Sequence, residues 1–181
     1  MAVTPTTTKS TPIQFRPEMI EAILEGRKTQ TRRLIKDDPP ARSRFGKPGD
    51  LMWVRETHAI VPRTAYAQSD GVQQTVRPDD NYYAAIYRNG WQRSHPGVRW
   101  RSPIYMPRWA ARITLEITDV RAERVVDISK EDAIAEGISA ADSSPLDSFE
   151  RLWDAIYGRG SWCENPLVWV IEFKLMTGAT A

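Results

Sequence analysis

The sequence predicts an α+β domain that is mainly β, and three observations carry that prediction. Two segments alternate apolar and polar residues as half-buried strands do: Ile113, Leu115 and Ile117 in the first, and Leu167, Trp169, Ile171 and Phe173 in the second. Two other segments carry apolar residues at helical spacing, each opened by a proline and closed by a glycine, from Pro17 to Gly26 and from Pro145 to Gly158. The order of elements, strand, helix, several strands, two helices, strand, suggests a small β core with helices at its rim.

Taken in chain order, residues 1–11 are Thr-rich and read as a flexible tail, and a single domain is expected over residues 12–176. Pro12 to Phe15 suits a short strand. A helix follows in which Met19, Ile20, Ile23 and Leu24 form the apolar face and Gly26 is the stop. Thr29 to Leu34 reads as a second strand, and the turn Lys47-Pro48-Gly49-Asp50 precedes a third from Leu51 to Glu56. Residues 60–108 scatter Tyr82, Tyr83, Tyr87, Trp91, Trp100 and Tyr105 among Pro, Gly and Arg, and read as an insertion of loops and short hairpins over one end of the core. Ala111 to Val125 should be the central strand. Ser129 is placed to cap a helix that closes at Gly137, and Ser144 to cap one whose apolar face is Leu146, Phe149, Leu152, Trp153 and Ile156.

With 41% hydrophobic and 27% charged residues among 181, the chain has ordinary globular composition and room for one core. No segment approaches the ~20 apolar residues that span a bilayer, and the polar first residues are unlike a signal peptide, so no membrane partner and a cytoplasmic location are expected. The single cysteine, Cys163, excludes an internal disulfide, and His58 and His95 do not complete any usual zinc-ligand spacing. No metal or other cofactor is therefore expected, and the cysteine pairs of the zinc nucleobase deaminases are missing. Residues 1–110 hold eighteen Lys/Arg against ten Asp/Glu, whereas residues 111–181 hold seven against thirteen, so the first part is the candidate for an anionic partner.

The densest basic stretch is Gly26 to Leu34, GRKTQTRRL. It suits a phosphate-gripping patch, an edge strand kept soluble by charge, or a catalytic strip using the Lys28 amine and the Thr31 hydroxyl. Strand alternation puts Thr29, Thr31 and Arg33 on one face and Gln30, Arg32 and Leu34 on the other. Lys28 can meet Thr31 only if it belongs to a turn that Gly26 permits. A threonine hydroxyl needs a base to become a nucleophile, and lysine serves only if burial lowers its pKa.

The segments AILEGRKTQTRR, GKPGD followed by LMWVRE, DISKEDAIAEGI and VWVIEFK resemble, in order and register, the ASCH domain family. The resemblance runs from about Pro12 to Lys174, interrupted by the insertion, and extends to longer phage-associated members. It implies a PUA-like β-barrel. Small bacterial members are metal-independent amidohydrolases that convert N4-acetylcytidine to cytidine and acetate; similarity to them implies Thr31 as nucleophile, Lys28 as its base and Glu136 as the carboxylate orienting the lysine. Without the resemblance, Glu136 reads as a solvent-facing carboxylate at a helix end.

Trp53 and Arg55 share a strand face and are candidates to hold a pyrimidine ring or an anion, the alternative being core packing of Trp53 and an outward pairing of Arg55 with Glu56. Arg33 and Tyr105 complete the candidate substrate-binding set, with Arg108 and Trp109 near the mouth. Backbone amides near Gly26 or the Arg55 side chain are candidates to stabilise an oxyanion. Cys163 is expected to pack near Trp162. The expected activity is hydrolysis of N4-acylated cytosine nucleosides or bases, a small-molecule partner. The alternatives are an RNA-binding module without hydrolysis and a ribonuclease using the same cleft.

Overall fold

The computed structural model describes residues 8–36, 42–93 and 97–176. Most of the expected tail, part of the Asp37–Arg44 connection and His95 lie outside the described residues. Among the described residues eight strands form two sheets. The larger has the order β1 (Ser10–Gln14), β3 (Leu51–Arg55), β7 (Thr114–Arg124), β8 (Leu167–Leu175), β2 (Gln30–Leu34); β1 and β3 run parallel and the other pairs antiparallel. The smaller is antiparallel, with β6 (Tyr83–Tyr87) between β4 (His58–Pro62) and β5 (Gln74–Val76). The long strand is central, as the alternation of Ile113 to Ile117 predicts.

Among the described residues the expected closed barrel is not seen. Strands β1 and β2 end the larger sheet, and among the described residues no ladder joins them. Helix α1 (Pro17–Leu24) and its turn occupy the connection between them, and side chains span the gap. An Arg33 Nη donates to Gln14 O at 2.7 Å, and the Phe15 and Phe173 rings lie 6.2 Å apart.

Strand β8 explains why both faces of the sheet are dry. Its Ile171 and Phe173 join Ile13, Ile23, Met52, Val54 and Leu115 in the principal core, with Trp169 packed against it. Its Val168 and Val170 face the other way, against Phe149 and Trp153 of α3 (Pro145–Tyr157) and Ala133 of α2 (Lys130–Ala135). The basic strip is thus an edge strand by hydrogen bonding, yet Gln30, Thr31 and Arg32 are buried. Covering helices, not exposed charge, protect this edge.

Residues expected as loops and hairpins form the smaller sheet and its turns. Ala84, Ala85 and Ile86 are fully buried, and Ala85 and Tyr87 pack with Trp53, Met106, Ala110 and Ala111 as a separate cluster. Ser129 caps α2 as expected, its Oγ accepting from Asp132 N at 3.0 Å. Ser144 is the N-cap residue of α3 with Pro145 in the first turn, as expected, but its side chain makes no capping hydrogen bond. The carboxylate of Asp142 accepts from Ser144 N at 3.1 Å and from the Ser148 hydroxyl at 2.6 Å. Cys163 is exposed rather than packed. Among the described residues no helix is long and apolar enough to cross a membrane.

Candidate active site

The turn after α1 places Lys28. Gly26 takes a φ of 74°, and the next two amides, Arg27 N and Lys28 N, both donate to Ala22 O at 2.8 and 3.0 Å. Lys28 therefore belongs to the turn, one residue removed from the pleat by Thr29, whose N–H donates to Ala135 O at 2.9 Å. Those hydrogen bonds also commit the amides after Gly26 to α1, so they are not available as the oxyanion donors expected from sequence.

Glu136 arrives from α2. It is the C-cap residue of that helix, and Gly137 follows at a φ of 99°. A carboxylate at a helix C-terminus conflicts with the dipole, and Lys28 resolves the conflict. Its Nζ donates to Glu136 O at 2.7 Å and to Oε2 at 2.8 Å, so one amine satisfies both the helix end and the side chain. Lys28, Thr31 and Glu136 are each at most 4% exposed. They line one cavity of about 360 Å³ together with Phe15, Arg32, Arg33 and the aromatic residues Phe149, Trp153 and Tyr157.

Burial pushes the Lys28 amine below the ordinary lysine range. Glu136 opposes this by charge and hydrogen bonding, while the Arg33 and Arg32 charges add to the lowering, and the net direction is down. The arrangement suits a neutral amine: its two N–H groups reach the two Glu136 acceptors, and its lone pair remains free. No hydrogen bond joins Nζ to the Thr31 hydroxyl in this state.

Arg32 lies on the opposite strand face from Thr31, and sequence reading assigned it no role. Its guanidinium, 1% exposed, pairs with Glu136 Oε1 at 3.3 Å, Glu123 at 3.3 Å and Asp132 at 2.9 Å. Asp132 also receives Arg121 at 4.0 Å, and its backbone carbonyl accepts from Gln30 Nε2 at 2.9 Å. Burial raises the Asp132 pKa, but the Arg32 hydrogen bond and charge, with Gln30 and Arg121, carry the net direction below the ordinary aspartate range. This network ties Glu136 to β2 and β7 from behind. A local signal for it is absent, because its carboxylates lie 91 to 104 residues from Arg32.

The remaining candidates divide. Arg33 lines the cavity and lies with its guanidinium 5.1 Å from the Phe15 ring centre. Trp53 is 7% exposed and belongs to the cluster under the smaller sheet, with the Arg55 and Arg108 guanidinium groups over its ring at 4.8 and 5.7 Å. Arg55 lines a second, neighbouring cavity. Glu56 pairs not with Arg55 but with Arg112, at 2.7 Å. Tyr105 is 73% exposed in a short 3-10 turn and lines neither cavity. Neither Trp53 nor Tyr105 lines the cavity that holds Lys28, and Trp53 packs instead with Ala85 and Tyr87 of the smaller sheet. Among the described residues no cluster of three or more His, Cys, Asp or Glu is placed to hold a metal ion.

The two sheets and the rim helices make a mixed α+β fold, mainly β, and its likeness to solved structures is one of fold. The chain is similar in structure to the ASCH domain of Lactobacillus crispatus, with a TM-score of 0.52 and 13% identity over 92% of this chain and 79% of that one. Two further solved structures, of a hypothetical protein and of a protein from Enterococcus faecalis, align at TM-scores of 0.47 and 0.45 with 12% identity. They cover 92% and 94% of this chain and 99% and 82% of theirs, and the fold assignment rests on the first structure. No family model matches the sequence, and no curated protein matches it.

Proposed function

We propose that the protein is a metal-independent amidohydrolase that removes the acyl group from N4-acylated cytosine nucleosides or bases. The observation that carries this reading is the buried Lys28 amine, lowered in pKa and held at 2.8 Å by Glu136, lining the same cavity as Thr31. A threonine nucleophile requires a base, and a lysine serves better as one the further burial lowers its pKa from the ordinary lysine range.

In the proposed reaction the amide carbonyl carbon sits against Thr31 Oγ. Thr31 attacks as its proton passes to the free lone pair of Lys28, and a tetrahedral oxyanion forms. Arg33 is the donor nearest in chemistry to this charge: one of its guanidinium nitrogens is bonded to Gln14 O, and the others have no hydrogen-bond partner among the described residues. Collapse breaks the C–N bond, and the Lys28 ammonium returns the proton to the departing N4 nitrogen. Water then hydrolyses the threonine ester with Lys28 again as base, releasing the carboxylic acid. The aromatic walls Phe15, Phe149 and Tyr157 suit the flat face of cytosine.

Incubation with N4-acetylcytidine in the presence of EDTA, with chromatographic detection of cytidine and acetate, tests the proposal. Turnover abolished by Thr31→Ala is the expected result. Lack of product from every acylated cytosine base, nucleoside and nucleotide overturns it, and RNA binding or cleavage without such turnover favours the RNA-directed alternatives.

A further inference from the structure

The two neighbouring cavities treat charge in opposite ways. In the first, Lys28 and Arg32 are matched by Glu136, Asp132 and Glu123. The second, of about 400 Å³, is lined by Arg33, Lys36, Arg44 and Arg55, and among the described residues none of its lining residues is acidic. None of these four cations has a carboxylate partner among the described residues. Arg55 is the most telling. Among the described residues its Nε is buried without a hydrogen-bond partner, and its guanidinium lies over the Trp53 ring. A half-buried arginine with idle donors and three like charges around it costs stability unless an anion offsets it.

The cavities share Gln14, Arg33 and Tyr157, so a single ligand can extend from one into the other. We propose that the second cavity is a phosphate subsite, and that the substrate is a nucleotide whose acylated cytosine occupies the first cavity. The inference rests on the amidohydrolase reading for the identity of the base. It goes beyond it in naming a phosphorylated substrate rather than a free base or nucleoside. Arginine forks and a lysine ammonium are the groups that grip phosphate oxygens, and Arg33, serving both cavities, couples recognition of the phosphate to the reacting end.

Calorimetric titration of the full chain with cytidine, cytidine 5′-monophosphate, cytidine 3′-monophosphate, inorganic phosphate and a short cytidine oligonucleotide tests the subsite without requiring turnover. At least about tenfold tighter binding of a phosphorylated form than of cytidine is expected, weakening as salt rises. The gain should disappear in Lys36→Gln/Arg44→Gln, two exposed positions, in a protein whose melting curve is unchanged, and persist in Lys174→Gln, which removes a positive charge from neither cavity. A gain shown by a mononucleotide assigns the anion to a phosphate monoester, and a gain shown only by the oligonucleotide assigns it to a strand's phosphodiester; both support the subsite. Equal binding of every phosphorylated form and cytidine, or a gain that survives the double substitution, overturns it. Hydrolysis of the acylated counterparts is followed in parallel. Turnover with no phosphate preference sinks the subsite alone, whereas phosphate-dependent binding without turnover sinks the amidohydrolase reading alone.

Discussion

Gly137 is the point where the site can be disturbed by a single methyl group. It ends α2 immediately after Glu136 at a φ of 99°, and a Cβ built there would lie 3.2 Å from Met19 Sδ, 3.3 Å from Ala22 Cβ and 3.4 Å from Lys28 Cβ. The methionine can swing away, but Ala22 and Lys28 are anchored by α1 and its turn. Gly137→Ala should therefore cost about 1–3 kcal/mol for a backbone conformation that L-residues avoid. About 1 kcal/mol more should come from crowding, at the low end of overpacking costs. Gly26→Ala is the matched comparison, because Gly26 has a φ of 74° with nothing within 4 Å of its Cβ position, leaving only the backbone cost. Urea unfolding of both variants at unchanged slope gives the difference directly. The same crowding separates Lys28 from the α2 C-terminus, so hydrolysis of N4-acetylcytidine should fall in Gly137→Ala by more than its stability loss explains. If Gly137→Ala is no less stable than Gly26→Ala and equally active, the close approach of α2 to Lys28 does not exist as described.

Lys28→Arg and Thr31→Ala should each lower kcat by at least about a thousandfold, and the pair together by little more, because groups acting as a unit are non-additive; near-normal turnover by Lys28→Arg in a folded protein excludes a lysine base. Glu136→Gln removes the charge that raises the Lys28 pKa while keeping a hydrogen-bond acceptor, and burial continues to lower it, so the rising limb of the pH–rate profile should move to lower pH; an unmoved or higher limb contradicts the pairing. Asp50 is held below its ordinary value of 3.8 first by the Lys9 and then by the Lys47 backbone N–H, so its contribution to stability is complete above that value and lost as pH falls through the folded pKa. Chemical denaturation of the native protein and Asp50→Asn across acid pH should show their difference shrinking in that window, and a difference independent of pH refutes the assignment.

The local rules of the chain were sufficient for most elements. Pro17 and Gly26 bound α1, Ser129 caps α2, and the period-two pattern of Leu167 to Phe173 locates β8 because each signal acts within a few residues of backbone. The same locality explains the failures. Ser144 holds the N-cap position without a side-chain capping bond, and Asp142 instead ties the turn to the helix through Ser144 N and the Ser148 hydroxyl. Period two correctly separates Thr31 from Arg32, yet says nothing about what stands opposite either face. Lys28 and Glu136 are 108 residues apart and meet only because α1, its turn and the end of α2 close on one another at Gly137. The open seam between β1 and β2 is likewise a matter of which strands reach each other, as is the match of Arg32 to three acids while the Arg55 Nε has no partner among the described residues. Sequence alone determined the elements of the larger sheet and the rim helices, since those follow from local backbone geometry, but not the strands of the smaller sheet, and Leu24, Leu146 and Ile156, expected on apolar faces, are exposed. Only the tertiary structure decided which charges are paired, because Coulombic and hydrogen-bonding partners are chosen by distance in space, and folding brings together groups that the chain holds far apart.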